Sequence, residues 1–320
     1  MRKGLIASTI GLISACGGGG TGDPATPDSG TGSGSGSGTV DASTAPTRPP
    51  GVALCYTPTA EMHSATVMFK AALRAGDRSA RAASITALDD AVKSLPNEEE
   101  LQLFLGLAHL WRLAEPLPGE DAPLSQLTDA TGARDHLDLA YKLCPTDHRV
   151  AAWLGPILVQ FGRQLNDTNM VNQGLMVLDQ GIAAYPSFVL FSKVLVYANS
   201  PRESPEFQNA FDALTANAGA CEQTPTDPAC TNATVPHNRE GGLLFMGDVL
   251  TKALKHDEAA AAFTSTMSEP DFATWSFQSI ITDRLQTLDA RIGLYSNTST
   301  TDDPAAAWTA NNQCALCHTQ

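Results

Sequence analysis

Between about Thr57 and Asn297 the chain repeats a ladder of small and apolar positions at helical spacing. One copy reads Ser84, Leu88, Ala91, Pro96; the next reads Ala133, Leu137, Ala140, Pro145; a third reads Gly174, Leu178, Gly181, Pro186. Steps of three and four place these residues on one stripe of a helix. Each proline then ends its helix, because it lacks an N–H and clashes with the preceding turn. Nine residues after two of the prolines comes a Leu-Gly pair, Leu105-Gly106 and Leu154-Gly155. A further copy, Arg239 to about Ala273, carries Met246-Gly247, Ala259, Phe263 and Pro270 in the same order. The pattern predicts pairs of helices in which small residues allow close approach. Leu88, Leu137, Leu178 and Phe263 fill the space between. Such a unit cannot bury its apolar face alone, so several must stack.

The ladder, the Leu-Gly pairs and the closing prolines resemble the tetratricopeptide repeat. The resemblance implies an all-α, helical-hairpin solenoid over 57–295, with five units and a final helix, Phe272 to Tyr295, as a cap. The copy from Arg239 keeps the family length of about 34 residues. The spacing from Pro96 to Pro145 is 49 and that from Pro145 to Pro186 is 41. The surplus is expected in a loop from Glu115 to Gly132 and around Gln164 to Met170. The first unit, Pro58 to Asn97, is recognisable mainly in its second helix. The fourth, Ser187 to Asn238, is degenerate, with a second helix expected over Glu206 to Ala218. Within this body Trp111, Trp153 and Trp275 read as packing residues, His109 as core or groove, and Met68, Met176 and Met246 as core filler. Asp89-Asp90 and Glu98-Glu99-Glu100 read as solvated helix ends. No nucleophile elbow, phosphate loop, zinc-protease helix or paired-carboxylate motif occurs.

The N-terminal region has a different texture. Arg2 and Lys3 precede an apolar run from Leu5 to Ala15, about the length of a signal-peptide core and too short to span a bilayer. It closes on Ile13-Ser14-Ala15-Cys16, which resembles the lipobox of bacterial lipoproteins. That implies a signal peptide over 1–15 and lipidation of Cys16. Residue Gly17, rather than aspartate, favours the outer membrane. A Gly/Ser/Pro-rich stretch then extends to residue 56. It has too few large apolar residues to repay the entropy of ordering. As a coil its span from Gly17 to Gly51 is roughly 30–35 Å, making it a tether.

The formal net charge of −14 argues against nucleic acid or an anionic membrane face as a partner. Of the seven cysteines, Cys16 goes to lipid and Cys314 and Cys317 to a terminal motif; of the remaining four, Cys221 and Cys230 bracket a turn-forming loop and pair naturally, leaving Cys55 and Cys144 for each other. Four cysteines allow three connectivities, and the other two stay open.

The remaining chemistry lies at Cys314-Ala315-Leu316-Cys317-His318. The Cys-x-x-Cys-His spacing resembles the haem-attachment motif of c-type cytochromes. The resemblance covers these five residues and implies one covalent haem c on Cys314 and Cys317, with His318 as axial ligand of the iron. A redox or structural Cys-x-x-Cys pair, or half of a metal site, is the alternative. Export to the compartment where such haem is attached supports the first reading. The region 296–320 is a tail, with Asp303-Pro304 predicting a short helix that starts after a flexible link.

Only Thr319 and Gln320 follow His318, so a second iron ligand must come from elsewhere. The candidates are His237 in the loop after Cys230, then His63, Met62 and His148, a neighbouring copy or a partner. The chain therefore reads as a membrane-anchored haem protein of the cell envelope that transfers electrons and docks redox proteins on its repeats. It reads as an electron carrier or binding protein rather than an enzyme, and self-association is open. A haem-free interaction scaffold and a haem sensor with an open distal position are the competing readings.

Overall fold

The computed structural model describes Cys55 and residues 60–116, 123–232, 235–297, 299–309 and 317. The leader with Cys16, the linker, and Cys314 and His318 of the terminal motif lie outside the described residues. Among the described residues the fold is all-α, as expected, and contains no strand. The helices are α1 (Ala60–Arg74), α2 (Arg78–Ser94), α3 (Glu99–Ala114), α4 (Pro123–Leu143), α5 (His148–Leu165) and α6 (Thr168–Ala184). They continue with α7 (Pro186–Tyr197), α8 (Pro205–Gln223), α9 (Asn238–Lys252), α10 (His256–Thr266) and α11 (Gln278–Ser296). Each odd-numbered helix up to α9 packs against the even-numbered helix after it, and α11 closes the row against α9 and α10.

Side chains at the turns start these helices. Asp77, Asp147 and Asp167 accept backbone N–H groups from the first turns of α2, α5 and α6. Ser204 does the same for α8, ahead of Pro205 at its first position. The connection from α1 to α2 bends at Gly76, whose φ of 60° belongs to the left-handed region that glycine enters without a Cβ penalty.

The small residues of the ladder act where the paired helices cross. A Cβ on Gly106 would meet Leu137 Cγ at 2.7 Å, one on Gly155 would meet Leu178, and one on Gly247 would meet the Phe263 ring. A Cβ on Gly174 would stand 2.7 Å from the Gly155 carbonyl oxygen, which is backbone and cannot turn aside. Gly174→Ala and Gly247→Ala should therefore lower stability by about 1–3 kcal/mol through overpacking. Gly219 in α8 and Gly293 in α11 have open space where a Cβ would go. There, alanine should raise stability by about 0.5–1 kcal/mol through helix propensity. Thermal unfolding of the four variants checks the contrast, and uniform stabilisation would refute the close-crossing account.

Several expectations need correction. The surplus residues after α3 are not all loop, because α4 begins at Pro123 and runs through Gly132. Gly132 makes room for the His109 ring, whose Nε2 would lie 2.8 Å from a Cβ there, so this glycine marks a crossing and not a turn. The surplus around Gln164 to Met170 lengthens α5 and α6, which are separated only by Asn166 and Asp167. Helix α8 extends past Ala218 to Gln223. Residues Phe272–Thr274 form a separate 3-10 turn ahead of α11. Met68 and Met176 are exposed, because they lie off the buried stripes. Glu99 and Glu100 are buried; Lys70 Nζ donates to Glu100 at 3.3 Å, while Glu99 lies under the field of Asp147 and Arg149.

The segment after α11 packs into the body instead of hanging from it. Ala306, Ala307 and Trp308 are buried, and a 3-10 turn, Ala307–Thr309, stands where the helix was expected to begin. The Ala307 N–H donates to Asp248 Oδ2 at 2.8 Å. Arg284 and Arg291 donate both to Asp248 and to the Ala305 carbonyl, and Tyr295 Oη donates to the Pro304 carbonyl. No helix among the described residues is long and apolar enough to cross a membrane.

Candidate functional site

Two cysteine pairs stand at disulfide distance, Cys55 with Cys144 and Cys221 with Cys230, their Cα atoms 5.4 and 5.5 Å apart. The second pair ties the end of α8 to a 3-10 turn, Pro228–Cys230. Asp227 anchors that turn by accepting from Tyr185 Oη at 2.8 Å and Ser187 Oγ at 2.7 Å, both at the start of α7.

Downstream, the loop is held at several points before α9 begins. Asn238 donates to the carbonyls of Ala229 and Thr231, and the Arg239 N–H donates to Asn232 Oδ1 at 2.7 Å. The Arg239 guanidinium forks onto both Glu269 oxygens at 2.7 Å. This lattice fixes His237, the residue at the N-cap of α9. The sequence reading gave His237 as the accessible candidate; it is in fact 1% exposed. The proline and asparagine beside it suggested a surface loop, but the loop is folded inward by its own hydrogen bonds.

His237 meets the terminal motif directly. Its backbone N–H donates to the Cys317 carbonyl at 2.9 Å. Cys317 is a buried free cysteine, packed in an apolar cluster with Met62, Ala65, Phe69, Trp111 and Val235. The end of the loop before α9 and Cys317 thus come together against α1 to α3. The His237 ring lies 6.5 Å from the Trp275 ring, and its Nδ1 stands 3.4 Å from Glu240 Oε1. Both of those atoms are buried, and neither makes a hydrogen bond. Asn232 Nδ2 holds the other oxygen of Glu240 at 3.2 Å. Glu240 carried no sequence signal, since an acidic residue in a first helical turn is ordinary.

The other candidates are placed differently. Met62 is fully buried in the Cys317 cluster. The side chain of His63 lies outside the described residues. His148 is half-buried at the start of α5. His109 pairs with Asp129 at 2.8 Å and stacks on His136 with ring centroids 5.6 Å apart. His136, which the sequence did not single out, shares its Nδ1 with Gln102 at 2.6 Å. Its pKa is lowered by burial and by the neighbouring His109.

The described residues at Cys317 are thus a buried thiol, an apolar wall that includes Met62, Phe69 and Trp111, and the backbone of buried His237, whose Nδ1 faces Glu240 Oε1 with no hydrogen bond at either atom. Among the described residues, no three histidine, cysteine or carboxylate side chains converge on a separate metal position. Comparison with protein-family models, with curated proteins and with solved structures gives no match for the chain.

Proposed function

We propose that the protein is a lipid-anchored c-type haem protein of the bacterial envelope that transfers electrons, built on a tetratricopeptide-like scaffold that docks its redox partners. The observation that carries this reading is the meeting of Cys317 with buried His237 against an apolar wall. An apolar macrocycle on a free tail would be costly in water; a motif whose Cys317 is buried in the body would offer it cover. Cys314 and Cys317 would hold the haem covalently, and His318 would ligate the iron. When bound, the haem supplies a one-electron couple whose potential the surrounding protein sets.

The chain's own residues do the rest. The Asp248 knot holds Ala305 and Ala307, the His237 N–H holds Cys317, and Phe69, Trp111 and Val235 would exclude water. The glycine crossings at Gly106, Gly155 and Gly247, each under an apolar residue of the partner helix, support the tetratricopeptide-like reading. The anchor on Cys16 and the tether to residue 56 would let this body reach partners at an outer membrane.

Expression in a host with cytochrome c maturation, and with Cys16→Ser as control, tests the proposal. The product should be red and keep its haem through denaturation and acid–acetone extraction. Cys314→Ala with Cys317→Ala should abolish the colour and leave helical circular dichroism in place. Wild type should partition with detergent-extracted membranes and the Cys16→Ser protein should not. A colourless wild type would leave the haem-free scaffold as the better reading.

A further inference from the structure

We infer that α9 and α11 form a recognition site for an extended peptide, occupied in this chain by its own residues 303–308, and that a partner protein's segment of the same chemistry takes their place. The chemistry is an acidic residue and a proline, then small residues, then a tryptophan. This narrows the docking part of the proposed function to one face and stands apart from the haem.

Residues 303–306 adopt no regular secondary structure, and the body holds this strap by its main chain. Arg284 and Arg291 donate to the Ala305 carbonyl at 3.0 and 2.8 Å, and Tyr295 Oη donates to the Pro304 carbonyl at 3.1 Å. The Ala307 N–H donates to Asp248 Oδ2 at 2.8 Å. Lys252 Nζ stands 3.9 Å from Asp303 Oδ2, which favours an acid before the proline. Ala306 and Ala307 are buried, and Trp308 is the anchor, its ring centroid 6.3 Å from that of Phe245. In extended-peptide sites main-chain hydrogen bonds supply affinity and side-chain pockets supply specificity. Tryptophan is among the residues that most often dominate such contacts.

The second observation is that the site stays whole without its occupant. Asp248 divides its oxygens: Oδ1 accepts from Arg284 at 2.8 Å and Arg291 at 3.1 Å, while Oδ2 accepts from the strap. When the strap leaves, both arginines keep their counter-charge, and α9, α10 and α11 still pack on one another. The departing main-chain groups are one N–H and two carbonyls, which water can satisfy. Residues 297 and 299–302, which link the strap to α11, are exposed. The seated strap leaves Arg291 Nε buried with no hydrogen-bond partner among the described residues, so it does not saturate the site. Two copies of this chain, each of formal net charge −14, repel one another, which favours a different protein as donor of the segment.

The probe is a fluorescent peptide of residues 301–309, Thr-Asp-Asp-Pro-Ala-Ala-Ala-Trp-Thr, added to the full-length chain. Trp308→Ala protein, whose own strap has lost its anchor, should bind it saturably by fluorescence anisotropy. Wild type should bind at least about 10-fold more weakly, because its own strap holds the site most of the time. N-methylation of the peptide at the Ala307 position deletes the donor to Asp248 and should weaken binding roughly 10–100-fold. Replacing the peptide's tryptophan by alanine should weaken it at least about 30-fold. If Trp308→Ala does not accumulate, wild type decides: excess peptide should speed hydrogen exchange at residues 303–308 and leave α9 and α11 unchanged. The inference is overturned if Trp308→Ala binds no peptide, if the N-methylated peptide binds equally well, or if peptide leaves exchange of the strap unchanged. A concentration-dependent wild-type dimer abolished by Trp308→Ala puts a second copy in the site and overturns the partner assignment. Covalent haem without peptide binding defeats this inference alone, whereas peptide binding by a colourless protein upholds it and defeats the haem.

Discussion

Asp248→Ala should destabilise the protein by about 3–5 kcal/mol, the cost of leaving buried cationic partners without their counter-charge. Asp248 is fully buried in α9 and accepts from Arg284 at 2.8 Å, Arg291 at 3.1 Å and the Ala307 N–H at 2.8 Å. The same two arginines donate to the Ala305 carbonyl, so one carboxylate joins α9, α11 and the segment that leads to the motif. Removing it strands Arg291, which is buried, and frees the strap that seats Trp308 against Phe245. Chemical denaturation should show the loss of stability. Hydrogen exchange should show residues 303–308 opening first. A variant that unfolds at the wild-type denaturant concentration, with those amides still protected, would show that the strap is held by its apolar contacts alone.

Glu99→Gln should remove a pH dependence that runs through neutrality. Burial, with the Asp147 and Glu100 charges adding to it and Arg149 opposing, pushes the Glu99 carboxyl from its ordinary 4.5 up to about 8. Neither of its oxygens has a hydrogen-bond partner. A carboxyl raised in this way holds a proton in the folded state that the unfolded chain has already released. Its contribution is fully present below about pH 4.5 and is lost as pH rises through about 8. Within that window each pH unit costs up to about 1.4 kcal/mol, for a total on the order of a few kcal/mol. The wild type should therefore lose stability between pH 5 and 8 relative to Glu99→Gln, and the variant should be the more stable of the two at pH 8. Parallel stability curves for the two proteins would show that Glu99 is ionised and satisfied when folded.

The proposed haem motif and lipidation site are read from strings of residues, because thioether attachment and lipidation would be directed by local spacing. The helices were legible because their stripes repeat, and the crossings at Gly106, Gly155 and Gly247 follow from a small residue set opposite a large one. Loop estimates were the weak point. Gly132 looked like a turn but is a helical glycine under His109. Glu99 and Glu100 looked solvated because acidic runs usually are, and nothing local records that neighbouring elements cover them.

His237 shows the division most clearly. Its sequence neighbours, Pro236 and Asn238, mark a loop, and in most loops that means exposure. The Asn238, Arg239 and Asp227 hydrogen bonds turn this loop inward instead, and its backbone meets a cysteine 80 positions away in sequence. The sequence alone determined the all-α class and the paired helices, since each depends on spacing along a few turns of chain. Only the tertiary structure decided that His237 meets Cys317 and faces Glu240, that Asp248 fastens the segment after α11, and that Glu99 is stripped of water. Burial and long-range contact depend on which elements pack over a residue, and no local pattern carries that information.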